Sequence, residues 1–175
     1  MEKKKKSYLS KAVFGLLIVA FTVCCIIAAP ITEAKGTLWS LFPQELEEIR
    51  RDKEQRRLLP GVRVPDRIVL TSDISCLASC DLCIMAVPSF AVRQTAQRAA
   101  PYLREDTVVV NVAKGLEDGS YKRLSQVLEE ELPGRRVVVM SGPSHAEEVG
   151  RGAPTTITVA SREREAAERK RIANR

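Results

Sequence analysis

The chain has 175 residues, enough for one hydrophobic core and close to the size of a single domain. Its 28 Lys and Arg against 22 Asp and Glu leave a net charge of +6. The surplus sits at the ends, in Lys3 to Lys6 and the mixed run Arg162 to Arg175, with no interleaved aromatics, which argues for solvated surface and against a nucleic-acid partner. Five cysteines, an odd number, argue against a disulfide framework and for a reducing compartment.

Residues 1–36 read as a basic and apolar N-terminal segment, in which Lys3 to Lys6 and Lys11 precede the uncharged run Ala12 to Ala29, closed by Pro30. As a helix that run would reach about 27 Å against a bilayer core of about 30 Å, the pattern of a membrane anchor with its lysines on the cytoplasmic side. Residues 37–175 change at once to an alternating rhythm of strands and helices. Thr37 to Ser40 reads as a short strand, and Pro43 to Arg57 as a helix with Leu46 and Ile49 inward, ended by Leu59-Pro60-Gly61. Ile68 to Leu70 is strand-like, Asp73 is placed to cap a short helix, and Asp81 to Val87 is a buried strand stopped by Pro88. A helix is predicted over Ser89 to Ala100, then a strand over Thr107 to Val112. The loop Asn111 to Gly119 carries Lys114, and a helix over Ser120 to Leu132 ends at Pro133-Gly134. After the stretch taken up next come a strand, Thr155 to Ala160, and a charged helix, Ser161 to Arg175. This order predicts an α/β fold built on a doubly wound, mostly parallel sheet.

The most informative stretch is Val137 to Val149. Val137 to Met140 is an apolar, β-branched run of the kind that forms a strand covered on both faces, and Ser141, Gly142 and Pro143 break it. Ser144 is predicted to cap the next helix, with Glu147 at capping-box spacing. The first turn of that helix would then offer a seat for a phosphate or carboxylate at the carboxyl end of a strand. The same residues also suit a plain strand–turn–helix junction. Two further patterns are weighed against function. Cys76, Cys80 and Cys83 have the spacing of an iron–sulfur loop, but Cys83 falls in the apolar run Leu82 to Val87, so all three are expected as small core hydrophobes. His145, the only histidine, has no second histidine or carboxylate pair at ligand spacing, so neither a metal site nor a catalytic role is expected of it.

Several strings recur in order along the chain: TLW at Thr37 to Trp39, LPG at Leu59 to Gly61, TSD at Thr71 to Asp73 and AVPS at Ala86 to Ser89. AKGLE follows at Ala113 to Glu117, LSQVLEEELPG at Leu124 to Gly134 and SGPSHAEEV at Ser141 to Val149. Together they resemble the N-terminal, dinucleotide-binding domain of the bacterial NAD(P)-dependent glycerol-3-phosphate dehydrogenases, over roughly Thr37 to Ser161. The resemblance implies a Rossmann-type domain with NAD or NADP as cofactor. It implies hydride transfer between glycerol 3-phosphate and dihydroxyacetone phosphate in the cytoplasm, for glycerophospholipid precursors. It further implies that Lys114 contacts both cofactor and substrate, that Pro88 and Ala146 lie against the cofactor, and that Gly142 and Ser144 hold the glycerol phosphate. No catalytic residue is expected within the chain, because the family's catalytic lysine belongs to a helical domain that would follow Arg175.

The departures from the family pattern are as specific as the match. A G-x-G-x-x-G turn should follow the first strand; Lys11 to Gly15 resembles the end of that strand, yet Leu16 to Ala29 contains no glycine. Ser40, Leu41 and Phe42 stand where a charged residue would read the ribose, which leaves NAD against NADP open. A bilayer span over Ala12 to Ala29 would remove the central strand of such a sheet, so span and fold exclude each other. One reading is therefore a disrupted frame over Leu16 to Gly36 in a dehydrogenase domain. The other is a membrane-anchored, non-enzymatic Rossmann-like binding protein. On either reading the chain alone is expected to show no measurable turnover and weak or no nucleotide binding.

Overall fold

The computed structural model describes residues 14–18 and 35–163. Among them, seven strands form one sheet: β1 (Phe14–Ile18), β2 (Lys35–Trp39), β3 (Ile68–Thr71), β4 (Leu82–Met85), β5 (Val108–Asn111), β6 (Arg136–Ser141) and β7 (Thr158–Ser161). The order is β3-β2-β1-β4-β5-β6-β7, parallel throughout except for β7, which runs antiparallel to β6. The chain reverses its direction of winding at β1, between β2 and β4, which is the switch point of a doubly wound sheet.

The sheet's two faces follow from side-chain alternation. Leu38, Ile84, Val110 and Val138 share one register row and turn to one face. Trp39, Met85 and Val109 turn to the other. On the first face lies helix α1 (Pro43–Asp52), with Leu46 and Ile49 buried. On the second lie α2 (Val92–Ala99) and α3 (Leu124–Glu131), whose Val92, Ala96, Val127 and Leu128 close the main core over Cys83, Met85 and Val109. α4 (Ala146–Gly150) follows β6 and rests Ala146 on the Leu38, Leu46, Leu59 and Val62 cluster.

Three expectations are corrected by this fold. The run Ala12 to Ala29 is not a continuous membrane helix: Phe14–Ile18 is the central strand, extending past the Lys11 to Gly15 stretch read as its end. No helix among the described residues is long and apolar enough to cross a membrane. The helix expected to reach Arg57 stops at Asp52, because Lys53 takes a left-handed φ of 56° and Val64 N–H then donates to Lys53 O at 2.7 Å, turning the chain back on itself. The helix expected from Ser120 begins at Leu124, because Ser120 to Arg123 are used in the preceding loop. Glu117 N–H donates to Lys122 O at 2.9 Å, and Leu116 pairs with Arg123. Asp73 does cap a helical turn, Ile74–Ser79, accepting from Ser75 N–H at 2.9 Å. The terminal helix expected over Ser161 to Arg175 lies almost wholly outside the described residues.

Leu128 is fully buried between α3 and the sheet. Leu128→Ala is expected to lower stability by about 2–5 kcal/mol through the cavity it leaves. Urea denaturation measures this, and a change below about 1 kcal/mol would contradict the packing described here.

Candidate functional site

β4, β5 and β6 run parallel, so their carboxyl ends share one edge of the sheet. Val112 N–H donates to Met85 O at 3.1 Å and keeps the chain leaving β5 laid against the end of β4. Beyond β4, Ala86 and Val87 are buried and Pro88 opens a single turn, Ser89–Ala91. Beyond β5 comes Lys114-Gly115. Gly115 has φ +109°, a left-handed conformation that a side chain resists, and Ser89 Cβ lies 3.6 Å from where a Gly115 side chain would begin. The AVPS and AKGLE strings, remote in sequence, therefore lie side by side.

Lys114 reaches from this turn to the loop after β6. Its ammonium donates to Ser144 O at 2.6 Å, to Gly142 O at 3.3 Å and to Ser144 Oγ at 3.4 Å. Three N–H donors meet three acceptors, all uncharged oxygens, so the contacts hold the cation without neutralising it. The side chain is exposed at the edge of the sheet. Behind it, Asn111 is buried, with Nδ2 donating to Ala113 O at 3.0 Å and Oδ1 without a partner among the described residues.

The loop after β6 differs from its expected form. Ser144 does not cap the helix: the cap position is His145, exposed, with no side-chain hydrogen bond, and α4 is five residues long. The capping box with Glu147 does not form. Ser144 is instead drawn into a tight turn, its N–H donating to Gly142 O at 2.8 Å, which turns its hydroxyl and carbonyl toward Lys114. The helix dipole is correspondingly a minor contributor, and the positive charge at this edge comes from the lysine. Gly142 is required for a reason internal to the fold, since a Cβ there would lie 2.2 Å from Thr156 O. Ala146 is half-buried with its methyl against the α1 cluster, and Pro88 is half-buried at the head of its turn.

Residues not singled out from the sequence hold the lysine loop. Arg93 on α2 grips Glu117 with both ends of its fork, Nε to Oε1 at 2.6 Å and Nη2 to Oε2 at 2.8 Å. It also meets Glu130 at 3.0 Å, and Glu131, on α3. Ser120 Oγ donates to Glu117 as well. The hydrogen bonds from Arg93 and then Ser120 bring the Glu117 carboxyl down to about 2. No local spacing marks this pair, which is 24 residues apart; only Glu117's place in AKGLE hints at it.

The cysteines sit apart from this edge. Cys83 is fully buried on β4 and Cys80 nearly so, both within the main core, and Cys76 packs against it. Burial pushes the Cys80 thiol up to about 11 and Cys83 higher, so both stay protonated at neutral pH. Among the described residues no group of three His, Cys, Asp or Glu side chains could hold a metal ion.

Two consequences are measurable. Gly142→Ala is expected to destabilise by at least about 1–3 kcal/mol, because the new methyl meets backbone that cannot rotate away; a thermal midpoint equal to wild type would refute the close approach. Glu117 has its folded pKa, about 2, below the roughly 4.3 of an unfolded glutamate, so its contribution to stability is complete above the latter and fades as pH falls toward the former. Acid denaturation over that window should therefore be steeper for wild type than for Glu117→Gln. Parallel curves would show that the ion pair does not form.

Comparison with known proteins gives the same direction. Residues 22–167 match the family model for the NAD-dependent glycerol-3-phosphate dehydrogenase N-terminus. The chain is 52% identical over 124 residues to a glycerol-3-phosphate dehydrogenase [NAD(P)+] of Desulfitobacterium hafniense, covering 71% of this chain and 35% of that protein. It is 48% identical over 137 residues to the corresponding protein of Syntrophomonas wolfei, covering 76% of this chain and 40% of that one. It also superposes on the crystal structure of a glycerol-3-phosphate dehydrogenase from Coxiella burnetii with a TM-score of 0.82 at 25% identity, covering 93% of this chain and 51% of the other. The chain thus spans well under half the length of the curated relatives it matches, and the part it spans is the first domain. On the matched residues and the shared sheet together, the chain belongs to the NAD-dependent glycerol-3-phosphate dehydrogenase family, as its N-terminal domain.

Proposed function

We propose that this domain seats the phosphorylated end of glycerol 3-phosphate or dihydroxyacetone phosphate at the carboxyl edge of β5 and β6. The observation that carries this reading is the Lys114 ammonium, held beside the Ser144 hydroxyl by uncharged oxygens alone. A cation fixed in place but not neutralised attracts a phosphate dianion, and the serine hydroxyl supplies a donor once it turns from Gly142 O. The relatives are dehydrogenases by name, and that activity is extended here as the role of the whole protein. Pro88 at the end of β4 and Ala146 at the head of α4 would flank a nicotinamide, whose chemistry is to accept or donate a hydride.

The diphosphate of NAD or NADP fits less well. Tight binding there needs backbone amides that approach the ligand closely, which glycines after the first strand allow. β1 ends at Ile18, and Val19 to Ala29 offer no glycine. The domain's own contribution is accordingly to bind and orient the triol phosphate, with weak affinity for the dinucleotide. A cytoplasmic setting, where Cys76, Cys80 and Cys83 stay reduced, belongs to the same reading. A membrane-anchored role is disfavoured because β1 is committed to the centre of the sheet.

The test is an NMR titration of the 175-residue chain with glycerol 3-phosphate. Saturable shifts are expected at Lys114, Gly142 and Ser144, weakened by salt, with none from uncharged glycerol. Lys114→Ala should cost at least about tenfold in affinity, the scale of a hydrogen bond to a charged group. Binding unchanged in that variant would defeat the assignment.

A further inference from the structure

The Lys114 side chain is long, exposed and mounted on a loop, so something must fix where its ammonium lies. The loop's own bonds give it shape. Leu116 pairs with Arg123, Glu117 N–H donates to Lys122 O at 2.9 Å, and Tyr121 N–H donates to Glu117 O at 3.0 Å. Left-handed φ angles at Gly115, Gly119 and Tyr121 close the turns. None of these contacts leaves the loop, so none of them locates it against the sheet.

Three features do. Gly115 lies beside Ser89, Lys122 Nζ donates to Glu130 Oε1 on α3 at 2.6 Å, and Arg93 grips Glu117. Only the last is a two-pronged pair next to Lys114, and Arg93 stands on α2, just after the turn that carries Ser89. Arg93 is flanked by the fully buried Val92 and, a turn on, Ala96, so its backbone cannot drift. Its guanidinium is locked further by Glu130 and Glu131 on α3. The loop is thus pinned three residues beyond Lys114 by a planar, bidentate pair, which fixes direction as well as distance.

We propose that Arg93, acting through Glu117, is a positioning residue for Lys114: the forked pair holds the loop so that the ammonium meets Gly142 O and Ser144. The consequence for ligand binding rests on the reading of Lys114 as the anion-binding cation. The placement of the ammonium itself does not.

Two readouts on the full 175-residue chain separate these. The first is the Nζ–H signal of Lys114, which is visible by nitrogen-15 NMR only while the ammonium is hydrogen-bonded and slow to exchange. The second is the affinity for glycerol 3-phosphate. Glu117→Gln is expected to lose the Lys114 signal and to weaken binding about three- to tenfold, the effect of a small misplacement. Glu131→Gln removes a carboxylate from the same guanidinium but touches no loop residue, and should keep both. If the two variants behave alike, or if the Lys114 signal survives Glu117→Gln, the proposal is overturned. If wild type shows no binding but only Glu117→Gln loses the signal, positioning stands and the anion-binding reading falls. Should Glu117→Gln fail to fold, Arg93→Lys keeps the charge without the fork. Loss of the signal there supports the proposal, and its retention refutes it.

Discussion

The edge of this sheet depends on one cation. Lys114 leaves the end of β5 and delivers all three of its donors to the loop that leaves the end of β6, so two loops joined to neighbouring strands are closed into one surface. Carbonyl dipoles and a hydroxyl stabilise an ammonium well enough to hold it, yet they leave its net charge in place. A carboxylate in the same position would hold it more firmly and extinguish its field. Glu117 and Glu131 are taken up by Arg93 instead, and Glu130 is shared between Arg93 and Lys122. That division of charge gives each of these carboxylates a partner other than Lys114.

The glycines on either side of this contact have different physical causes. Gly115 is needed for its backbone angle, since φ +109° strains any residue with a Cβ. Gly142 is needed for space: the backbone of Thr156 and Ile157, entering β7, runs close against it. The antiparallel pairing of β7 with β6 forces that approach, with Ser141 opposite Thr158 at the last step of the ladder. The turn that presents Ser144 is thus set by β7, a strand that carries no site residue. Packing within the chain accounts for a glycine that a ligand-centred account would have assigned to close approach of a phosphate.

How much of this was legible beforehand varied with the range of the interaction. The strands after residue 36 were readable because β-branched runs such as Val108 to Val110 and Val137 to Val139 are short and bounded by turn residues, while the place of the first strand at the centre of the sheet came only with the family resemblance. The meeting of Lys114 with Ser144 could be inferred only through family resemblance, since 30 residues separate them. Helix ends were misjudged wherever a side chain or a left-handed residue ended the helix early, as at Lys53, or where a loop consumed helix-forming residues, as at Ser120 to Arg123. Ser144 fitted every local rule for a cap, but Lys114 and the Gly142 carbonyl claimed it; a tertiary contact outweighed a local propensity of about 1 kcal/mol. The Arg93 network had no local spacing to mark it, because its members lie on three separate elements, α2, the loop after β5 and α3.

A side chain and a backbone bind phosphate under different constraints, and this chain separates them. Lys114 reaches its position from the end of β5, through a loop pinned to α2 by the Arg93–Glu117 pair. Pyrophosphate recognition in a sheet of this kind calls on the glycine-rich turn after the first strand and the helix N-terminus it leads into, because amides must come within hydrogen-bonding distance of the ligand and any Cβ holds them off. The edge built by β4, β5 and β6 fixes its lysine through side-chain contacts, while Val19 to Ala29, next after β1 in the sequence, contain no glycine. On the proposed reading, binding the triol phosphate and binding the dinucleotide are two separate demands on the sequence: the first is met by Lys114, Ser144 and the Arg93–Glu117 pair, the second by glycines that Val19 to Ala29 do not supply.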